Sequence, residues 1–154
     1  MSSEMETMLN DPSVLRELIM DHYQYPHNHG LKKDAEGYQS VHMASDSCID
    51  DITVQSLIKD GKIEDVRFDG IACTISTAST SMMTDLVKGK SVEDAKKIIA
   101  DYFAMIDEKE YDPELLEEAV AMKNVYKQAN RIKCATIGWK AMQQMIDESE
   151  KKAS

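Results

Sequence analysis

The sequence predicts an α+β fold: a small antiparallel sheet of about three strands with helices packed on one face. Three observations predict it. Apolar residues alternate with a period of two around residues 52–69 and recur at helical spacing before and after. Asp60-Gly61 marks a hairpin between two of the extended segments. The strands come as one block and most of the helices follow, with no internal repeat or linker. A chain of 154 residues fits a single core. The expected organisation is a flexible N-terminus (1–10), one domain (11–148) and a flexible C-terminal tail (149–154).

Each element has its own signal. Asp11-Pro12 reads as a helix start, with Asp11 as N-cap and Pro12 in the first turn. Val14, Leu15, Leu18, Ile19 and His22 then recur at helical spacing until Pro26 stops the helix. A loop follows to about Gly37. A first strand is expected over 39–44, on a weaker pattern. Ile52, Val54, Ser56 and Ile58 share one face of a second strand. The third runs from Ile63 to Asp69, with Val66 and Phe68 on one side. After Gly70, Ile75, Ala78, Met82, Met83 and Leu86 line a helix that Gly89 stops. Ser91 with Asp94 resembles a capping box opening a helix through about Ile106. Asp112-Pro113 starts a short helix. A last helix is expected from near Cys134 through Ile137, Ala141 and Met145 to a charged, frayed end.

The composition excludes several classes. The net charge is −10 and no Lys/Arg stripe stands out, which argues against nucleic acid, where phosphate contacts dominate affinity. An anionic membrane surface would repel the chain, and no apolar run approaches the ~20 residues of a membrane span. Residues 1–10 lack the basic and apolar regions of a signal peptide. The expected location is therefore the cytoplasm, where thiols stay reduced. Three cysteines are also an odd number for a disulfide framework. The 11 methionines read as core filler on helices.

The cysteines sit at junctions. Cys48 and Asp50 precede the second strand, and residues i and i+2 of an extended chain point the same way. Cys73 falls at a helix entry and Cys134 near the start of the last helix, where backbone N–H groups favour the thiolate. Three thiolates and a carboxylate form a set that zinc accepts in tetrahedral geometry. Arg131 or Lys133 could offset the surplus negative charge, and the two read equally well as a solvated pair. Spacing alone leaves a second reading open, since no Cys-x-x-Cys pair exists and lone cysteines are usually small buried hydrophobes.

The motifs carry more. The chain reads Ile19-Met20-Asp21-His22-Tyr23, then Cys48-Ile49-Asp50, then Phe68-Asp69-Gly70-Ile71-Ala72-Cys73-Thr74-Ile75-Ser76-Thr77-Ala78-Ser79, and finally Arg131-Ile132-Lys133-Cys134-Ala135-Thr136-Ile137-Gly138-Trp139-Lys140-Ala141. This order and spacing, from about Val14 to Met145, resembles the NifU-like and IscU-like family of iron–sulfur cluster assembly proteins. It is most similar to the SufU branch. Lys133 stands where scaffold-type IscU proteins carry histidine, and the acidic stretch 107–118 resembles the branch's extra residues between the second and third cysteines.

The resemblance implies an IscU/NifU N-terminal-like fold and a Zn²⁺ site of Cys48, Asp50, Cys73 and Cys134. It implies a partner, a PLP-dependent cysteine desulfurase of the SufS type, and contact with other cluster assembly proteins. In the implied mechanism a partner histidine replaces Cys48 on zinc, and the freed thiolate takes the partner's persulfide sulfur. Cys48 is then the reacting residue. The chain departs from the family at Ile49, where members usually carry Gly; a β-branched residue is disfavoured at positive φ.

Three functions compete on these residues: a zinc-dependent sulfur acceptor acting like a sulfurtransferase, a scaffold for a transient [2Fe–2S] cluster, and a zinc-stabilised interaction module without sulfur chemistry. His22, His27, His29 and His42 invite a metal reading, but the resemblance places His22 in a helical motif outside the zinc ligands, and all four read as surface or packing groups. Ser76, Ser79 and Ser81 read as capping and small-residue packing, with no His or Lys evidently paired to them. Trp139 and Tyr23 read as packing groups, and the acidic stretch as solvated surface.

Overall fold

The computed structural model describes residues 7–34, 36–44, 49–125 and 129–153. Helix α1 (Pro12–Gln24) starts as its capping residues dictate: the Asp11 carboxylate accepts the Ser13 N–H at 2.9 Å. Its backbone ladder closes at Tyr25, one residue before Pro26. The chain then forms β1 (Gln39–Ala44), β2 (Asp51–Lys59) and β3 (Lys62–Ile71), an antiparallel sheet in the order β1-β2-β3. Val41 faces Val54, which faces Phe68 across the next ladder. The β2–β3 turn uses Asp60 and Gly61, both at positive φ (51° and 75°), matching the strand twist.

The sheet has two different faces. Ile52, Val54 and Ser56 are buried toward the helices, and the Ser56 hydroxyl lies 3.2 Å from Met145 Sδ. Gln55 points the other way, where its side chain holds both backbone groups of Lys32. The loop before β1 also covers the outer edge of β3: Phe68 N–H donates to the Asn28 carbonyl, and Gly30 N–H donates to the Phe68 carbonyl.

Helix α2 (Thr74–Val87) is central, with almost every side chain buried. Such burial of Ser and Thr requires partners for their hydroxyls. Ser79 shows how this is met: its Oγ accepts from Trp139 Nε1 (2.9 Å) and donates to the Ala135 carbonyl (2.5 Å). Helix α3 (Val92–Ile106) is capped by Ser91, whose hydroxyl accepts the Asp94 N–H. A short α4 (Pro113–Leu116) runs into a 3₁₀ segment (Glu117–Met122), and α5 (Ala129–Ala153) closes the molecule. Trp139 on α5 is fully buried and stacks on Tyr102 of α3 with centroids 3.7 Å apart.

Three expectations are corrected. Helix α5 begins at Ala129, more than one turn before Cys134, so Cys134 is not at a helix N-terminus. The helix also continues through the charged end to Ala153, where Glu150 meets Lys96 at 3.0 Å. The acidic stretch is only partly solvated surface: Leu116 within it is fully buried, and Glu118 bonds a buried histidine.

Candidate metal centre

Asp50, Cys73 and Cys134 converge. One ligand atom from each lies within 4.8 Å of the other two. Their positions follow from local structure. Asp50 immediately precedes β2, and the pairing of Asp51 with Ile71 sets it beside the end of β3. This approach requires Gly70, at φ 139°: a Cβ there would meet the Asp51 carbonyl oxygen at 2.0 Å. The chain leaves β3, and Cys73 becomes the N-cap of α2, its Sγ accepting the Ser76 N–H at 3.4 Å. Cys134 comes in from the second turn of α5.

The Asp50 carboxylate is 1% exposed and organises the group. Its Oδ1 accepts the Cys73 N–H at 2.9 Å, and its Oδ2 accepts the Ser76 hydroxyl and lies 4.0 Å from Cys73 Sγ. Ser76 therefore holds both the carboxylate and the Cys73 sulfur, 3.4 Å from its hydroxyl. Burial first, and then hydrogen bonding with Asp50 and Cys73, pushes the Cys134 thiol well above its ordinary value. Without a cation Cys134 holds its proton, contrary to the lowering expected of a helix start. A divalent cation reverses that preference. One carboxylate and two sulfurs are a donor set suited to zinc, whose thiolate and carboxylate bonds are about 2.0–2.3 Å.

Cys48 lies outside the described residues. Its neighbour Ile49 is 67% exposed while Asp50 is buried. A groove of about 490 Å³ opens over the sulfurs, lined by Arg16, Ile19, Met20, Thr74, Ile75 and Arg131 besides the two cysteines. Arg131 thus lies beside the site, whereas Lys133 is exposed and outside that lining. Arg16, Met20 and Ser76 were not legible as site residues. Arg16 and Met20 sit on α1, distant in sequence, and Ser76 has the same local pattern as its packing neighbours.

The histidines divide. His29 and His42 pair with Asp69 (3.1 Å) and Asp51 (2.6 Å) at the surface. His22 is 3% exposed and engaged at both nitrogens: Nδ1 with the Ser81 hydroxyl and Nε2 with Glu118, each at 2.7 Å. Ser81 does have a histidine partner, which sequence spacing did not show. That hydroxyl is fully buried, so it is a structural bond and no nucleophile. Tyr23 is 41% exposed, so it is only partly packed. Among the described residues, no helix is long and apolar enough to cross a membrane.

An α+β domain with carboxylate and sulfur donors brought together from β2, α2 and α5 defines the class. Residues 15–154 match the family model of the NifU-like N-terminal domain, and the chain belongs to that family. Among relatives, it is 37% identical over 142 residues to the zinc-dependent sulfurtransferase SufU of Bacillus subtilis, covering 92% of this chain and 95% of that one. It is 40% identical over 134 residues to the iron–sulfur cluster assembly scaffold protein IscU of Streptococcus pyogenes serotype M1, covering 86% of this chain and 82% of that one. A crystal structure from Fervidobacterium islandicum AW-1, described as an iron–sulfur cluster assembly scaffold protein for a SUF system, matches with a TM-score of 0.75 and 29% identity, over 88% of this chain and 95% of that one. A NifU-like protein from Brucella abortus shares the fold, with a TM-score of 0.77 at 18% identity, over 96% of this chain and 99% of that one.

Proposed function

We propose that this chain is a cytoplasmic, zinc-dependent sulfur acceptor of iron–sulfur cluster assembly, working with a SufS-type, PLP-dependent cysteine desulfurase. The observation that carries the reading is the convergence of Asp50, Cys73 and Cys134 in a chain related to SufU along nearly its whole length. Cys48 is the fourth ligand in this reading and the residue that reacts. The functional unit is the domain 11–148.

Bound zinc would keep the cysteine ligands deprotonated at neutral pH. The chain's own groups do the rest. Asp50 and Ser76 hold Cys73 in place, and burial keeps Cys134 from competing as a nucleophile. Ile49 beside Cys48 is exposed, as a segment that must meet a partner requires. The Cys48 thiolate attacks the outer sulfur of the partner's persulfide. A new S–S bond forms on Cys48, the old one breaks, and the partner's cysteine leaves as a thiolate. Arg16 and Arg131 line the groove and favour the anionic sulfur species there.

Desulfurase turnover with wild type and with Cys48→Ser tests this. Stimulation by the wild type and its loss in a folded Cys48→Ser protein are expected. No stimulation by wild type carrying zinc sinks the reading.

The relationship to the Streptococcus IscU favours a second reading, a scaffold for a transient [2Fe–2S] cluster. Lys133, in place of the histidine of scaffold-type proteins, stands against it. Anaerobic reconstitution separates the two: a stable cluster that transfers to an apo-protein supports the scaffold.

A further inference from the structure

A second group of metal-binding side chains lies at the far end of α2. His22 near the end of α1, His27 in the following loop and Asp85 in the last turn of α2 each offer a ligand atom, all within 4.8 Å of one another. Cys73 caps the other end of this helix. Twelve residues at about 1.5 Å each put the two groups about 18 Å apart along its axis. They share no ligand, so this second group is separate from the Asp50 centre.

The arrangement is built rather than incidental. The Ser81 hydroxyl accepts the His27 backbone N–H at 2.8 Å and bonds His22 Nδ1 at 2.7 Å, so one side chain fixes both histidines. His27 Nδ1 pairs with Asp85 Oδ2. The other Asp85 oxygen accepts from Asn28 Nδ2 at 3.3 Å, and Asn28 is itself held by Thr84 and Lys88. The rings of His22 and His27 lie 4.5 Å apart. His22 is bonded at both nitrogens, so whichever one binds an ion, the other keeps Ser81 or Glu118. Metal-bound histidines have such an outer partner almost without exception.

The chemistry and the access also agree. A groove of about 630 Å³ with a mostly apolar wall reaches His27 and Asp85, with Glu117 and Glu118 beside them and no Lys or Arg among its lining residues. Two imidazole nitrogens and a carboxylate oxygen suit divalent first-row transition ions better than the hard ions Mg²⁺ and Ca²⁺. Ligands of a tetrahedral ion with bonds of about 2.0–2.1 Å lie roughly 3.3 Å apart. Reaching that separation asks the two exposed groups, His27 and Asp85, to swing inward and His22 to exchange one of its two hydrogen bonds for the ion.

We propose that His22, His27 and Asp85 form a second site for a divalent first-row transition ion, with Glu118 beside it. An ion there ties the end of α1, the loop that edges β3, and α2 into one unit, independently of sulfur chemistry.

The test is equilibrium dialysis of wild type, His27→Gln, His27→Ala/Asp85→Asn and Cys73→Ser/Cys134→Ser against buffered free Zn²⁺. Both histidine variants are expected to hold one Zn²⁺ fewer per chain than wild type. The double cysteine variant should retain it. Failure of the Asp50 reading would appear differently, as no loss in the cysteine variant. NMR of wild type supplies a measurement that needs no mutant: the ring signals of His22 and His27 should shift with Zn²⁺ and not with Mg²⁺. Equal zinc content in wild type and in the folded His27 variants, or ring signals unmoved by Zn²⁺, would overturn the proposal.

Discussion

Asp50 Oδ1 accepts the backbone N–H of Cys73 at 2.9 Å, so one carboxylate fastens the start of β2 to the start of α2 with no ion involved. This gives Asp50 two separable roles. Asp50→Ala removes the acceptor for Cys73 N–H and for the Ser76 hydroxyl in a buried place. We expect it to destabilise the metal-free protein by about 1–3 kcal/mol and to weaken zinc. Asp50→Asn keeps a carbonyl oxygen for Cys73 and loses the charge. It should retain much of the metal-free stability and still weaken zinc. Urea unfolding with a chelator present, beside zinc competition with a chromophoric chelator, separates the two; equal metal-free stability of wild type and Asp50→Ala would refute the structural role.

Cys134 gives a pH dependence. Its thiol is raised above the ordinary value of 9.0 by burial and by its bonds to Asp50 and Cys73. Zinc must therefore displace its proton, and affinity should rise with pH by about tenfold per unit for each proton released. Competition titrations between roughly pH 6 and 8 check this; a flat profile would contradict it. The metal-free protein should show the opposite trend. A group with a raised folded value contributes stability that is complete below its unfolded value and is lost as pH rises through the folded one. Metal-free stability should therefore decline above about pH 9, and Cys134→Ala should remove that part of the decline.

Most of the frame was legible because its signals are local. Asp11-Pro12, Asp60-Gly61 and Ser91 with Asp94 each fix a boundary through bonds within a few residues. The start of α5 was not, since Ala129 to Ile132 carries no cap signal and little apolar period, and the docking of α5 against α2 comes further along, at Gly138. At the site, motif order led to Asp50, Cys73 and Cys134, where spacing alone left them open. Arg16 and Ser76 were silent because their places depend on how α1 and α2 pack. The histidines invited a metal reading, but the meeting of His22 and His27 with Asp85 was silent for the same reason: α1 and α2 are far apart in sequence.

That docking of α2 on α5 has a contact with no slack. A Cβ on Gly138 would lie 2.3 Å from Thr80 Oγ1 and 2.8 Å from its Cγ2. Gly138→Ala should therefore destabilise the protein by about 1–3 kcal/mol, despite the better helix propensity of Ala. The Thr80 hydroxyl is buried without a hydrogen-bond partner among the described residues, so Thr80→Ala alone should cost only the buried methyl group, about 1 kcal/mol. Combining them should recover part of the Gly138→Ala loss, with a coupling of about 0.5–3 kcal/mol. Chemical denaturation of the four proteins checks it; simple additivity would exclude the contact as the cause.

Asp65 on β3 collects three partners: Tyr38 OH at 2.7 Å, Arg67 Nε at 3.1 Å and Lys88 Nζ at 3.3 Å. Partial burial raises its carboxyl, but the bonds from Tyr38, Lys88 and Arg67 outweigh it and leave it below the ordinary value of 3.8. A lowered group contributes stability above its unfolded value and loses it as pH falls through the folded one. Asp65→Asn should cost about 1–2 kcal/mol at neutral pH. The gap to wild type should close as pH drops below about 4. Thermal unfolding across that range measures it, and a gap that persists in acid would point to packing instead of charge.

The donors of the Asp50 centre come from the start of β2, the cap of α2 and the second turn of α5. During synthesis the third is made long after the first two. A ribosome-bound chain lacking α5 carries Asp50 and Cys73 but no complete binding set. Tight zinc binding at the Asp50 centre is then expected of the finished molecule alone, and zinc held there would mark a chain whose last helix has docked.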